Sequence, residues 1–452
     1  MKLLLLPLLL ILGLMLARGS ANAATPALEK LRVIIETDAG GDPDDEQSLV
    51  RFLLYANEWD VEGIIAVRPV TRGDNRAEDR TGLGIVQRLV RAYGECYPSL
   101  IQHDGRYPDP TELLLRTVAG YDDSDEAVNL LITAVDDPDP RPVWYCEWGA
   151  DEGSARNNLK RALDKVLTER GQEGYATFKQ KLRLTGMDKY GEHTTRLEPA
   201  FPLYLNTLTP EVDGRRWYHR FSALTATAGG FNLEQDVRAG HGPLGALYPT
   251  NTDRPQKEGD TMTFLYLVPT GMNDPEHPGW GSWAGRYALN EDYGGRPCYW
   301  ASPLDTWEGT THRDNSLGRW AADLQNDFKA RLDWCVKPFA QANHRPVAAL
   351  GKDKSRRIER LHSKPGKTLK LDASRSSDPD GDELSFKWWV YPEAGTYEGE
   401  IAIEAPTAAK TRLTVPEDAG GTEIHIILEV CDAGEPPLVA YRRIVIEVEP
   451  ED

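Results

Sequence analysis

Between about residues 31 and 335 the hydrophobic pattern switches repeatedly between two periods. Leu31 to Thr37 is a continuous apolar run of strand length, and Leu49, Phe52, Leu53 and Ala56 then recur at helical spacing. Val61 to Val67 predicts the next strand, followed by a helical face of Leu83, Val86, Leu89, Val90 and Tyr93. Val143 to Trp148 predicts a third strand, with Ala155, Leu159, Ala162, Leu163 and Val166 as the helix after it. Strands that alternate with helices imply an α/β domain, a mostly parallel sheet flanked by helices. Ligands of such sheets bind at the carboxyl ends of the strands. From Glu211 to Gly309 the chain is rich in Gly, Pro and aromatic residues with little period, as long functional loops are. A helical segment around Ala321 to Trp334 closes the domain.

The pattern changes after Asn343-His344-Arg345-Pro346. Thr368 to Leu371, Leu384 to Val390, Arg412 to Val415, Ile424 to Val430 and Arg443 to Val448 read as short strands, separated by turn signals such as "DPDGD" and "DAGG". This predicts a C-terminal all-β, immunoglobulin-like sandwich. The expected division is 1–23, 24–343 and 344–452, the first being a leader. Lys2, the apolar run Leu3 to Leu16 and the small residues Ala21-Asn22-Ala23 form a signal-peptide pattern, with the mature chain starting near Ala24. The run is short for a membrane span, so the expectation is a secreted or periplasmic protein without a transmembrane anchor.

Composition narrows the class further. The formal charge of −19 argues against a nucleic-acid partner, which calls for clustered Lys and Arg. The five cysteines, Cys96, Cys146, Cys298, Cys335 and Cys431, match no zinc motif, and their odd number leaves at least one outside any intramolecular disulfide.

The chemistry concentrates in "ETDAGGDPDDEQSL", a strand-to-helix turn with Asp38, Asp42, Asp44 and Asp45 within eight positions. Part of this is ordinary helix initiation. Asp42 suits a cap, Pro43 the first helical position, and acids in the first turn favour the helix dipole. That reading leaves Asp38 and the Gly40-Gly41 pair unexplained. Converging carboxylates are the ligands of a hard cation, Ca²⁺ or Mg²⁺. Such an ion holds sugar hydroxyls and acidifies water, and a neighbouring Asp can accept the proton.

The same stretch resembles the N-terminal Ca²⁺-binding motif of the nucleoside hydrolases, with a turn two residues longer. That extra length leaves open whether Asp42 or Asp44 takes the first position of the Asp pair. "GGDPDDEQSLVRFLLYANEWDVEGIIA", "HGPLGALYP", "EGDTMTFLYLVPTGM", "GWGSWAGRY" and "FKARLDWCVKPFAQANHRPVA" are similar to secreted proteins in which a nucleoside hydrolase-like domain carries a β-sandwich, described as cellulose-binding. The resemblance implies that Asp38 binds the metal and acts as general base, that Asp45 is a metal ligand, and that Asp44 contacts sugar hydroxyls. It makes Asp260 the candidate for a later acidic ligand, against the alternative of a helix cap. Ser154 in "WGADEGSARNNL" stands where the family uses a loop carbonyl, although the usual Pro-x-Thr pattern is missing.

Further candidates are aromatic or basic. Trp280, Trp283 and Tyr287 in "GWGSWAGRY" suit a platform for sugar rings with Arg286 beside it, against the alternative of a buried anchor. His241 is a candidate to assist a leaving group, against a structural role. Asp378, Asp380 and Asp382 offer either a second ion site or a tight turn. Trp388 and Trp389 alternate across a strand, so one belongs to the core while the other can face a polysaccharide. Two functions follow. One is a secreted Ca²⁺-dependent hydrolase of glycosidic bonds, of N-glycosyl type, acting on a carbohydrate or nucleoside-like molecule. The other is a non-catalytic binder of a cellulose-type polysaccharide on the same scaffold.

Overall fold

The computed structural model describes residues 29–72, 80–149, 157–186, 194–207, 221, 224–225, 231–252 and 256–450. The run Leu31–Thr37 is strand β1, followed by helix α1 (Asp44–Leu54) and strand β2 (Trp59–Ala66). Next come α2 (Gly82–His103), α3 (Pro110–Leu115), β3 (Thr117–Ala119), α4 (Glu126–Asp136), β4 (Val143–Trp148), α5 (Asn158–Gln180), β5 (Leu182–Gly186) and β6 (Tyr204–Asn206). The Gly- and Pro-rich segment holds short helices α6 (Gly242–Ala246) and α7 (Thr261–Leu265), then β7 (Ala288–Leu289) and β8 (Cys298–Trp300). These strands form one sheet in the order β3-β2-β1-β4-β5-β6-β8-β7, parallel except at the β7 edge.

Both sheet faces are covered. β1 sends Val33 and Ile35 into one apolar layer and Ile34 into the other. β4 likewise sends Trp144, Cys146 and Trp148 one way, Val143 and Tyr145 the other. Burial on two sides is why these strands read as unbroken apolar runs. The order also has a functional consequence. The chain steps from β1 outward to β3, then returns to place β4 on the opposite side of β1. The carboxyl ends of β1 and β4 therefore flank a topological switch point, where open α/β sheets form a crevice.

A hairpin, β9 (Asp305–Trp307) and β10 (Thr310–His312), and helix α8 (Ala321–Trp334) lead into the C-terminal region. There β11 (Glu359–Ser363), β12 (Thr368–Asp372), β13 (Ser385–Val390), β14 (Ile403–Glu404), β15 (Lys410–Thr414), β16 (Glu423–Cys431) and β17 (Val439–Val448) form two sheets, β11-β17-β16-β13 and β12-β15-β14. Strands in them pair antiparallel, apart from β11 with β17. Leu371, Trp388, Leu413, Ile426, Leu428, Ile444 and Ile446 fill the space between the sheets. Ile427 and Tyr441 point the opposite way, into the apolar layer of the α/β region. The larger sheet is thus buried on both faces, one of them against the first part of the chain.

Candidate functional site

β1 ends at Thr37, and the next residues turn sharply. Gly40 sits at φ +96°, and a Cβ there would lie 2.8 Å from Thr71 Cγ2. A Cβ on Gly41 would stand 2.7 Å from Arg68 Nε and 2.8 Å from Asp38 Oδ2. The glycine pair therefore lets Asp38 and Arg68 approach across the turn. Helix α1 begins at Asp44, with Pro43 in the capping position and no side-chain cap. The expected cap role of Asp42 is corrected accordingly. Asp42 is exposed, lies outside the helix and pairs with Lys257.

One face of α1 recruits the distant loop that carries Asp260. Gln47 Oε1 accepts from Lys257 N at 2.8 Å and Glu258 N at 3.2 Å. Thr261 Oγ1 donates to Ser48 Oγ at 3.0 Å. Arg51 makes a two-pronged, fully buried pair with Glu258, at 2.5 and 3.0 Å, and lies over the Phe328 ring. These contacts seat Asp260 beside the first turn of α1. Asp260 precedes α7, yet its side chain caps nothing.

The result is a compact carboxylate cluster. Asp44, Asp45 and Asp260 each offer an oxygen, and those oxygens all lie within 4.8 Å of one another. Asp45 accepts from Thr37 Oγ1 at 2.5 Å. Asp260 is buried and its Oδ2 has no hydrogen-bond partner. Asp38 stands alongside, sharing a hydrogen bond with Asp45 and lying 3.4 Å from Arg68 Nε. Lys257 approaches Asp44 to 3.7 Å. Burial is the first cause of every perturbation. It pushes Asp38 up to about 6, against the opposing pulls of the Asp45 hydrogen bond and Arg68. Burial also raises Asp44, with Lys257 pulling the other way. Asp45 and Asp260 are held well above the usual carboxylate range by burial first, and then by neighbouring negative charge, from Asp260, Asp38 and Asp44 on Asp45 and from Asp44 and Asp38 on Asp260. An all-oxygen set with one buried oxygen left unpaired fits a hard divalent cation.

The remaining candidates lie elsewhere. His241 stands 3.5 Å from Asp333, and the neighbouring Gly242 abuts Cys96. Cys96 is four turns along α2 from Gly82, which touches Ala39 at the site, so His241 is roughly 20 Å away. Its leaving-group role is corrected to a structural one. The exposed sugar platform is corrected as well. Trp280 is buried between a stacked His277 at 4.2 Å and the Arg360 guanidinium at 4.7 Å. Trp283 is buried against Tyr441 and under Arg345, and Tyr287 is buried in the core. Arg286 pairs with Asp305 at 2.7 Å and donates to the Gly279 and Glu393 carbonyls. This loop packs on the C-terminal strands: Trp283 Nε1 donates to Tyr441 and the Trp280 carbonyl accepts from Arg443. It forms the seat of the sandwich.

Asp378 Oδ1 accepts from the backbone of Asp380 and Asp382, and Asp380 binds His344. That run is a turn that fastens the junction. Ser154 lies outside the described residues, as does the leader. Reading the sequence missed Arg68 and Lys257. The available signal was their position, one just after β2 and the other three residues before Asp260.

A parallel sheet with clustered carboxylates at its switch point makes an α/β protein with an acidic crevice at its strand ends. The family model described as "Cellulose-binding Sde182, nucleoside hydrolase-like domain" matches residues 32–287, and "Cellulose-binding protein Sde0182, C-terminal domain" matches residues 368–448. The chain belongs to this cellulose-binding, nucleoside hydrolase-like family. It is similar to a solved nucleoside hydrolase-related hypothetical protein from Saccharophagus degradans, associated with carbohydrate metabolism, at 33% identity and a TM-score of 0.74, covering 93% of this chain and 100% of that one. A match to the PKD domain of the KIAA 1837 protein has 18% identity and a TM-score of 0.16, covering 21% of this chain and 84% of that one. No curated protein matches. Among the described residues no helix is long and apolar enough to cross a membrane.

Proposed function

We propose that the protein is an exported, Ca²⁺-dependent hydrolase of N-glycosyl bonds acting on a carbohydrate or nucleoside-like ligand. The observation that carries this reading is the approach of Asp44, Asp45 and Asp260 within 4.8 Å, with an unpaired Asp260 oxygen and Asp38 adjacent. Asp44, Asp45 and Asp260 would hold the ion. A bound Ca²⁺ supplies positive charge that orients sugar hydroxyls and favours ionisation of water. Asp38 accepts the proton of the attacking water. Its value of about 6 puts it near the optimum for a general base at neutral pH. Asp44, nearest the solvent of the three ligands, is positioned to accept from sugar hydroxyls as well.

A second reading, a non-catalytic carbohydrate binder, is favoured by Arg68. A guanidinium 3.4 Å from Asp38 already supplies a counter-charge to the would-be base. The cellulose-binding description of the family agrees with that reading. Turnover of a panel of N-glycosides, measured with calcium titration, decides between the two. The hydrolase reading expects turnover by wild type and none by Asp38→Asn, with calcium still bound by both. No turnover by wild type that binds calcium and glycan leaves the binder. Absence of calcium binding by wild type removes the cation site altogether.

A further inference from the structure

A cleft of about 400 Å³ opens on the seam between hairpin β9–β10, the start of α8 and the outer face of β13 and β16. Trp307 and Trp389 line it, each half-buried. Trp388, the sequence neighbour of Trp389, is buried in the sandwich core, so strand alternation turns Trp389 outward into the cleft. Trp389 is held rigidly. Its Nε1 donates to Glu429 Oε1 at 2.8 Å, and the Arg319 guanidinium lies 5.3 Å from its ring. Trp307 has neither a ring partner nor a cation partner among the described residues.

The polar lining is balanced. Arg319 and Lys387 bring two positive charges, Glu393 and Glu429 two negative ones. Lys387 and Glu429 pair at 3.1 Å. Arg319 donates to the Thr306 carbonyl and pairs with Asp305, and Glu393 accepts from Thr306 N, which leaves Arg319 Nε, a donor, and Glu393 Oε2, an acceptor, buried at the cleft wall without a hydrogen-bond partner. Half-exposed indoles with convergent polar groups of both signs make a ligand site, and the absence of net charge disfavours an ionic ligand.

We propose that this cleft binds a neutral β-linked glucan chain, as a second carbohydrate site separate from the carboxylate cluster. Equatorially substituted glucose units present flat C–H faces to the tryptophans and hydroxyls at their edges to Arg319 and Glu393. The proposal rests on the carbohydrate reading above for its ligand class and on the cleft for its location.

Titration of the full-length protein with cellohexaose, by calorimetry with calcium and again with EDTA, tests it. Wild type is expected to bind equally under both conditions. Trp307→Ala is expected to weaken binding at least about ten-fold, while Trp307→Phe retains most of it. The hairpin strand of Trp307 is flanked by exposed residues, so this change should leave the melting temperature in place. If it does not, Lys387→Ala, at an exposed side chain, carries the test with an expected several-fold loss. Binding that needs calcium and ignores both substitutions puts the ligand at the carboxylates, overturning the cleft and sparing the hydrolase reading. No binding of cellohexaose by wild type also overturns the cleft, and the N-glycoside assay then judges the other site independently.

Discussion

The carboxylate turn and the tryptophan loop at residues 279–287 both offered candidate site residues, and they are built on opposite terms. In the loop the polar groups find partners inside the protein: Arg286 pairs with Asp305, and the facing Arg443 donates to the Trp280 carbonyl and meets the His425 ring nitrogen. At the turn, four acids crowd together with Arg68, Arg72 and Lys257 as the cations acting on them among the described residues, and one buried oxygen is unpaired. A charged segment whose partners are all internal holds a fold together. A segment whose charge exceeds its internal partners is where a counter-ion would act. The residue types alone do not separate the two cases, because the deciding partners are supplied by distant strands.

The largest effect should come from the satisfied region. Trp283→Ala removes a buried indole from the seat of the sandwich and should cost about 3–5 kcal/mol. Urea unfolding measures the loss, and calcium affinity should stay as in wild type. A calcium affinity that falls with stability would mean the two regions are coupled, contrary to the comparison.

The opposite signature is expected at the turn. Asp45→Asn removes one of the mutually repelling buried carboxylates, so the ion-free protein should become more stable. At saturating calcium, wild type should gain about 2.7 kcal/mol at a hundred-fold excess over Kd, and the variant close to none. Thermal melts with EDTA and with calcium separate these terms. A variant destabilised in EDTA would show that Asp45 serves the fold.

What was legible follows the same division. β1 and β4 were readable because a strand buried on two faces is apolar throughout, and Asp38, Asp44 and Asp45 because they share one turn with the strand end that positions them. Asp260 could be named only through the resemblance, since nothing local says that Gln47, Ser48 and Arg51 will draw its loop to α1. Arg68 carries no period and escaped notice. The tryptophan loop stayed open between a sugar platform and a buried anchor because glycine-rich aromatic sequence has the same appearance whether it faces water or a second sheet. The information that it is covered lies in Ile427, Tyr441 and Arg443, more than a hundred positions away.

Acidity sharpens the comparison. Folded-state values raised by burial mean that the native protein holds protons the unfolded chain releases. Stability of the ion-free form is therefore fully present below the unfolded carboxylate value of about 4 and is lost as pH rises through about 6, the value for Asp38. Calcium must displace those protons, so its stabilising effect should grow across the same window. Melting with and without calcium between about pH 5 and 7.5 should show the two curves diverging as pH rises. Parallel curves would show that the cluster does not titrate with the ion.

The smallest effect is expected at Asp42, and it separates a helix cap from a rim charge. As a cap, Asp42 would stabilise α1 by about 1 kcal/mol, and Asp42→Ser would keep that contribution because serine caps equally well. In the structure Pro43 holds the capping position, while Asp42 is exposed and pairs with Lys257. An exposed pair contributes only about 0–1 kcal/mol, so stability should scarcely move with either substitution. The consequence falls on the cation. Without Asp42, Lys257 turns wholly to Asp44, 3.7 Å away, and competes with the ion for that carboxylate. The rim also loses a negative charge that attracts cations. Both changes act in one direction, so Asp42→Ala and Asp42→Ser should each weaken calcium by a similar few-fold factor. Lys257→Met should strengthen it, since the competitor is gone. Calorimetric calcium titration of the three variants measures this directly. Wild-type stability and affinity in Asp42→Ser, beside a loss in Asp42→Ala, would return Asp42 to the helix.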